Sequence, residues 1–311
     1  MNDNVTISFY QLAQLVPNEV TARKYLERKR WGECGRQCPY CAHQHSVARG
    51  GSRDGYYRCC GCRKEFTVRT RSIFERSHIP LNKWILAIYL VVTARKGISS
   101  LQVSKELGIW QSSAWFMMHR IRSAMGAGES ALLKGIVEVD ETYVGGKETN
   151  KHEGKKLNAG RGSVGKQPIM GIRQRNDRVT LMVIADTKKS TLQTQIRRNV
   201  ELGSTVNTDD FGGYHGLDST YVHRVVRHSA KQFVDGMAHT NGIESVWAIL
   251  KRGFYGTFHK FSLEHLQRYV DEFCFRLNEG KCVIPTNQRM DCIFALAWGH
   301  RISYGSLVGW S

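Results

Sequence analysis

Two sets of residues in this 311-residue chain have the types and spacings that metal chemistry needs. Cys38 and Cys41 form one C-x-x-C pair and Cys59 and Cys62 a second, with 17 residues between the pairs. Two such knuckles present four thiolates tetrahedrally, and the spacing lies inside the range of structural Zn²⁺ sites. Cys60 and Cys34 are then spare thiols, and His43 and His45, though able to substitute as ligands, are expected to face solvent. The second set is acidic. GIVEVDETYVGG at 135–146 is an apolar, β-branched run that reaches Asp140 and Glu141, and STVNTDD at 204–210 ends in Asp209 and Asp210. An acid at a strand end is by default one that reaches water. Two of them side by side repel unless a cation lies between, and Mg²⁺ accepts one or two carboxylates while keeping waters or phosphate oxygens.

A third acidic ligand must come from an element packed nearby. In HTNGIESVWAILKRG at 239–253, Ile243, Val246, Trp247, Leu250 and the following Phe254 form an apolar helical stripe. Glu244 lies at the edge of that stripe, where it can border a cleft, with Asn241 and Lys251 close to the same face. On this stretch alone, a solvated glutamate on an amphipathic helix is the simpler reading.

The elements that must position these residues fall into blocks. Residues 8–30 read as a short helix, a break at Pro17 and a basic helix. The cysteine block, punctuated by Gly, Tyr and Phe, suits a ribbon of short hairpins. From Leu81 to Met125 three helices follow, with a break at Gly97 and a glycine turn before the last, whose stripe is Ala114, Met117, Met118, Ile121 and Met125. That arrangement predicts a helix-turn-helix. Ser112, Ser113, Trp115, His119, Arg120 and Arg122 lie off the stripe and are expected to face a DNA groove. Beyond Gly135 the order is three strands, the second and third joined at Asn176-Asp177, then a helix, two strands, and helices over about 240–254 and 262–278. This is an α/β pattern, a mixed sheet flanked by helices. Alternation puts Val137 and Val139 on one face of the first strand and Glu138 and Asp140 on the other. If the first and fourth strands are neighbours, Asp140 and Asp209 stand side by side. The last helix carries Leu263, Leu266, Val270, Phe273 and Leu277 as a buried stripe. KETNKHEGKKLNAGRGSVGK at 147–166 has no periodicity and reads as a mobile basic loop.

Forty-five Lys and Arg against 27 Asp and Glu give a net charge of +18, which favours a polyanionic partner, nucleic acid before a membrane surface. No apolar run approaches the ~20 residues of a membrane span, and the start lacks the pattern of a secretory signal; a cytoplasmic protein is expected. Six of the nine cysteines fall between Cys34 and Cys62, which argues for a metal and against a disulfide framework. GGK at 145–147 and GRGSVGK at 160–166 do not follow a strand and open a helix, so they are not phosphate-cradling loops.

Taken in order, VDETYVGGK, NTDDFGGY and HTNGIESVWAILKRGFYGTFHKFS with HLQRYVDEFCFRLN resemble a bacterial insertion-sequence transposase of the DDE superfamily, in the group with an N-terminal zinc ribbon and helix-turn-helix. The resemblance covers roughly residues 25–280 and implies a ribonuclease H-like catalytic core, Mg²⁺ (or Mn²⁺) dependence, and strand transfer of the ends of an element into target DNA by an assembly of at least two copies. It assigns Asp140 as the first acid and Asp209 as the second, with Asp210 where a small residue often stands. The third ligand is Glu244, with Asn241 as the fallback, since the group varies there between Glu and Asn. Cys38, Cys41, Cys59 and Cys62 match the zinc ligands, and Cys60 beside Cys59 departs from the pattern. Lys147, Lys251 and Arg252 are candidates for holding phosphates. The implied domains are a helical segment at 1–33, a zinc ribbon at 34–72, a helix-turn-helix at 73–130, the catalytic core at 131–280, and a tail at 281–311 that closes the fold or meets another copy. A DNA-binding regulator with a dead catalytic-like domain, and a nuclease of the same fold that does not join ends, are the rival readings.

Overall fold

The computed structural model describes residues 6–32, 35–128, 131–146, 152, 154, 165–217, 219–226, 239–281, 283–299 and 301–309. Chain contacts divide it into two units, Met1–Gly128 with Glu279–Ser311, and Glu129–Asn278.

In the first unit Ser8 and Asn18 each open a helix, α1 (Phe9–Leu15) and α2 (Glu19–Trp31), by accepting the N–H three residues on. Pro17 separates them, as expected. The cysteine block forms a three-stranded antiparallel sheet of β1 (Ser46–Ala48), β2 (Tyr57–Cys59) and β3 (Glu65–Phe66), closed over a small core of Cys38, Tyr57, Cys59 and Phe66. Next come α3 (Leu81–Thr93), α4 (Ser100–Leu107) and α5 (Gln111–Met125). Gly108 stops α4 in the left-handed conformation at φ 55°. The C-terminal segment returns to this unit as α9 (Thr286–Leu296) and α10 (Tyr304–Val308). Arg289 donates to the Val92 carbonyl at the end of α3 (2.9 Å), and Tyr25 and Phe294 meet edge to face.

The return corrects the groove-facing surface expected of α5. That helix packs against α3, α4 and α9, and Phe116 meets Tyr304 of α10, so the face opposite its apolar stripe is covered too. His119, Arg120 and Arg122 are buried, at 0%, 3% and 3% exposure. Arg120 spends its guanidinium on the carbonyls of Ile73 (2.9 Å) and Glu75 (2.8 Å), and burial brings its pKa down to about 10. These three side chains serve the core of the unit and cannot reach a groove. Ser112 is exposed, Ser113 and Trp115 are half-buried, and Trp110, in the turn before α5, is 84% exposed.

The second unit is built on a five-stranded sheet in the order β6-β5-β4-β7-β8. Its strands are β4 (Ile136–Val144), β5 (Gln167–Gln174), β6 (Val179–Val183), β7 (Thr205–Asp209) and β8 (Val222–Val226). β4, β5 and β6 are antiparallel neighbours, while β7 and β8 run parallel to β4. One face packs Val137, Val139, Ile172 and Val206 against Leu192 and Ile196 of α6 (Lys189–Asn199). The other packs Ile169, Val179 and Leu181 against α7 (Asn241–Gly253) and α8 (Leu266–Asn278). Leu263 is an exception to the stripe expected of the last helix. It lies in a 3₁₀ turn before α8 begins and is 62% exposed, while Leu266, Val270 and Phe273 are buried as expected. Among the described residues no helix is long and apolar enough to cross a membrane. Lys147 and nearly all of the 147–166 loop lie outside the described residues.

Candidate functional site

The first and fourth strands beyond Gly135 are indeed neighbours. β4 pairs with β7 in parallel at Ile136↔Thr205, Val137↔Val206 and Glu138↔Asn207. Continued by two residues, that register sets Asp140 beside Asp209, just past the last paired residues, where β4 stays paired only to β5. The carboxyl ends of parallel strands are where α/β sheets open a crevice for ligands. The face of β4 that carries Asp140 is also the one that meets α7: the Trp247 indole N–H donates to Asp140 Oδ2 at 2.8 Å. Gly171, the β5 partner of Asp140, leaves room for this docking. A Cβ built there would lie 2.7 Å from both Ile243 Cδ1 and Trp247 Cη2.

The electrostatics follow from that geometry. Burial raises the pKa of Asp140 to about 6, and the charges of Asp209 and Glu244 push the same way, against the hydrogen bonds from Trp247 and the Glu141 N–H. Three elements therefore bring acids within electrostatic reach of one another: β4, β7 and α7. Asp209 Oδ1 accepts the Phe211 N–H at 3.1 Å, and Glu244 Oε1 accepts the Thr240 hydroxyl at 3.3 Å. Asn241 and Glu244 are both exposed at the start of α7, and Lys251 and Arg252 are exposed in its last turn. Hard oxygen donors within electrostatic reach of one another suit a divalent cation.

Of the described residues, only the four cysteines gather three or more ligand atoms within 4.8 Å of one another; the three acids stand farther apart. Cys38 and Cys62 sulfurs are 3.7 Å apart and Cys41 and Cys59 sulfurs 3.6 Å, with backbone N–H groups of Tyr40 and Cys62 aimed at the Cys38 and Cys59 sulfurs. That donor set suits structural Zn²⁺. Cys60 is exposed and outside it, as are His43 and His45. Cys34 lies outside the described residues.

Sequence reasoning missed the two glutamates that flank Asp140. Glu138 is buried under the first turn of α7 and accepts the Ile243 N–H at 3.0 Å. Glu141 accepts the hydroxyl of buried Tyr214, and burial, with the charges of Asp140 and Asp209, raises its pKa to about 7. The signal for Glu138 was available: alternation already put it on the face of Asp140, and a carboxylate there needs a buried partner.

Comparison with known proteins agrees with this architecture. Residues 132–278 match the ISXO2-like transposase domain, and residues 17–74 match the transposase zinc-ribbon domain. An uncharacterized protein in transposable element ISH50 of Halobacterium salinarum is 29% identical over 273 residues, covering 83% of this chain and 90% of the relative.

Proposed function

We propose that the chain is a transposase of the kind those two matching domains describe, one that binds the ends of an insertion sequence, cleaves there and joins the freed ends to target DNA. The observation that carries this reading is the parallel pairing of β4 with β7, which sets Asp140 beside Asp209, with α7 and its Glu244 docked on Asp140 through Trp247.

Asp140, Asp209 and Glu244 are the ligands of divalent metal in this reading, with Asn241 the fallback for the third. A divalent cation held by these residues would supply Lewis acidity for activating water and neutralising charge on phosphate oxygens. The chain's own groups set the geometry. Trp247 fixes the orientation of the Asp140 carboxylate, Phe211 N–H that of Asp209, and Thr240 that of Glu244. Water attacks the phosphorus at the element's end and frees a 3′-hydroxyl. That hydroxyl then attacks a target phosphodiester in line, so one P–O bond forms as another breaks and no covalent enzyme intermediate is required. Lys251 and Arg252, exposed on the same helix, hold phosphates. Ser112, Ser113 and the exposed turn before α5 contact DNA, since recognition helices read bases through their N-terminal residues. Two or more copies act together on paired ends.

An in vitro strand-transfer assay in Mg²⁺ tests the reading, comparing wild type with Asp140→Ala, Asp209→Ala and Glu244→Ala on DNA bearing the element's own ends. All three variants are expected to bind the ends and fail to join them. Joining that survives Glu244→Ala and dies with Asn241→Ala moves the third ligand. End binding without cleavage by wild type, in Mg²⁺ or Mn²⁺, refutes the enzymatic reading in favour of a DNA-binding regulator.

A further inference from the structure

Glu138, two residues before Asp140, is 1% exposed and sits beneath the first turn of α7. One oxygen, Oε2, accepts the Ile243 N–H at 3.0 Å. The other faces Arg175, whose Nε and Nη2 lie 3.3 and 3.2 Å away, and His239 Nδ1 at 3.3 Å. Across the ladder Glu138 pairs with Arg173, which donates to the Gly242 carbonyl and to Ser245 Oγ (2.8 Å). Two side chains on adjoining strands thus hold an N–H and a C=O of the same helical turn. The approach is close enough that position 242 has no room for a side chain, because a Cβ there would run into the Glu138 carboxylate.

This is a costly arrangement. A buried carboxylate loses its hydration and recovers it only through well-formed partners, and apolar residues of similar volume often give equal or better stability. A polar clasp does something an apolar contact cannot: it fixes the turn by directed bonds, in register and rotation. An anion at a helix N-terminus also gains from the aligned peptide dipoles.

We propose that Glu138 is a positioning residue, a latch that seats the first turn of α7 on the sheet and so sets where Glu244 stands relative to Asp140 and Asp209. Ile243, whose N–H the latch holds, is the residue immediately before Glu244, so slippage of the turn passes directly to that carboxylate. The inference rests on reading Glu244 as a metal ligand.

The test is Mn²⁺ binding to the zinc-loaded full chain, followed by the EPR signal of free Mn²⁺, with hydrogen exchange of the α7 first turn measured in parallel. Glu138→Ala is expected to weaken Mn²⁺ binding about tenfold or more, the scale on which groups that orient ligands act, and to speed exchange at Ile243 and Glu244. Glu138→Gln keeps an acceptor for the Ile243 N–H and is expected to recover most of both. Leu250→Ala, a core change farther along the same helix, lowers Tm without weakening Mn²⁺ binding. Wild-type affinity in folded Glu138→Ala, or an equal loss in Leu250→Ala, overturns the latch. Glu244→Gln in the same titration separates the two readings. Unchanged affinity there removes Glu244 as a ligand, whereas a loss there with none in Glu138→Ala overturns the latch alone. Should Glu138→Ala not fold, Gly242→Ala crowds the same contact with the charge kept and is judged by the same criteria.

Discussion

Gly171→Ala places one methyl group at the point where α7 meets the sheet. The added Cβ would lie 2.7 Å from Ile243 Cδ1 and Trp247 Cη2 and 2.8 Å from Trp247 Cζ2, whereas ordinary contact begins at 3.4 Å. Neither the neighbouring β4 nor the tightly packed ring can give way freely, so α7 must retreat by about 0.7 Å or repack, and overpacking of this kind costs roughly 1–3 kcal/mol. The Trp247–Asp140 hydrogen bond, 2.8 Å long, would stretch to about 3.5 Å, near the limit at which such a bond counts. Melting should fall by about 2–12 °C, given roughly 2–4 °C per kcal/mol in domains of about 150–250 residues. Cleavage should fall more steeply than stability, because a displacement approaching 1 Å can cost about 10²-fold in rate. The assay pairs thermal melting with single-turnover cleavage of an end substrate at a temperature where the variant is fully folded. Gly256→Ala, where a Cβ meets nothing within 4 Å, is the control. Wild-type cleavage in a fully folded Gly171→Ala protein would refute the claim that helix docking at this glycine sets the geometry around Asp140.

Removing zinc with a strong chelator, or substituting Cys41→Ser, should unfold the ribbon, since structural zinc contributes on the order of 10 kcal/mol to such sites; Cys60→Ser should leave zinc content and melting unchanged. Arg120→Met should lower stability by about 2–4 kcal/mol, as expected when buried carbonyls lose a charged donor, yet leave end-binding affinity per folded molecule intact, which gel shifts at matched folded fraction would check. Burial pushes the Asp271 carboxyl up to about 6 from an unfolded value of 3.8, despite hydrogen bonding from Gln267 and the charge of Arg268. The folded pKa is the higher one, so the stabilising contribution is complete below about pH 4 and is lost as pH rises through 6, worth up to about 3 kcal/mol. Urea midpoints from pH 4 to 7 should show that step shrinking in Asp271→Asn relative to wild type.

What the residues announced and what they hid divides along physical lines. Cys38, Cys41, Cys59 and Cys62 were legible because their geometry is local: each C-x-x-C makes its own knuckle. The strands and α7 were legible because periodicity is local too. The meeting of Asp140 with Asp209 was conditional on β4 pairing with β7, a long-range choice that no short window contains. The burial of His119, Arg120 and Arg122 was hidden for a related reason. Arg120 finds its partners at the Ile73 and Glu75 carbonyls, 47 and 45 residues earlier, and α5 also packs on α9, more than 150 residues later; without such partners an arginine off the apolar stripe reads as a surface arginine. Glu138 was overlooked because a charged residue near an acidic site invites the reading of a ligand or of nothing, and its actual partner is a backbone N–H of α7.

The split of the first unit between Met1–Gly128 and Glu279–Ser311 has a consequence for the order of synthesis. The 183 residues beyond Gly128 take about 10–40 s to translate at roughly 5–20 residues per second. Throughout that interval the flank of α5 that α9 and α10 will cover stands open, and the second unit has all of its own sequence once residue 278 is made, before α9 is, so it can fold first. Nascent chains, and fragments broken off before residue 279, are therefore sticky on that flank and are natural clients for chaperones.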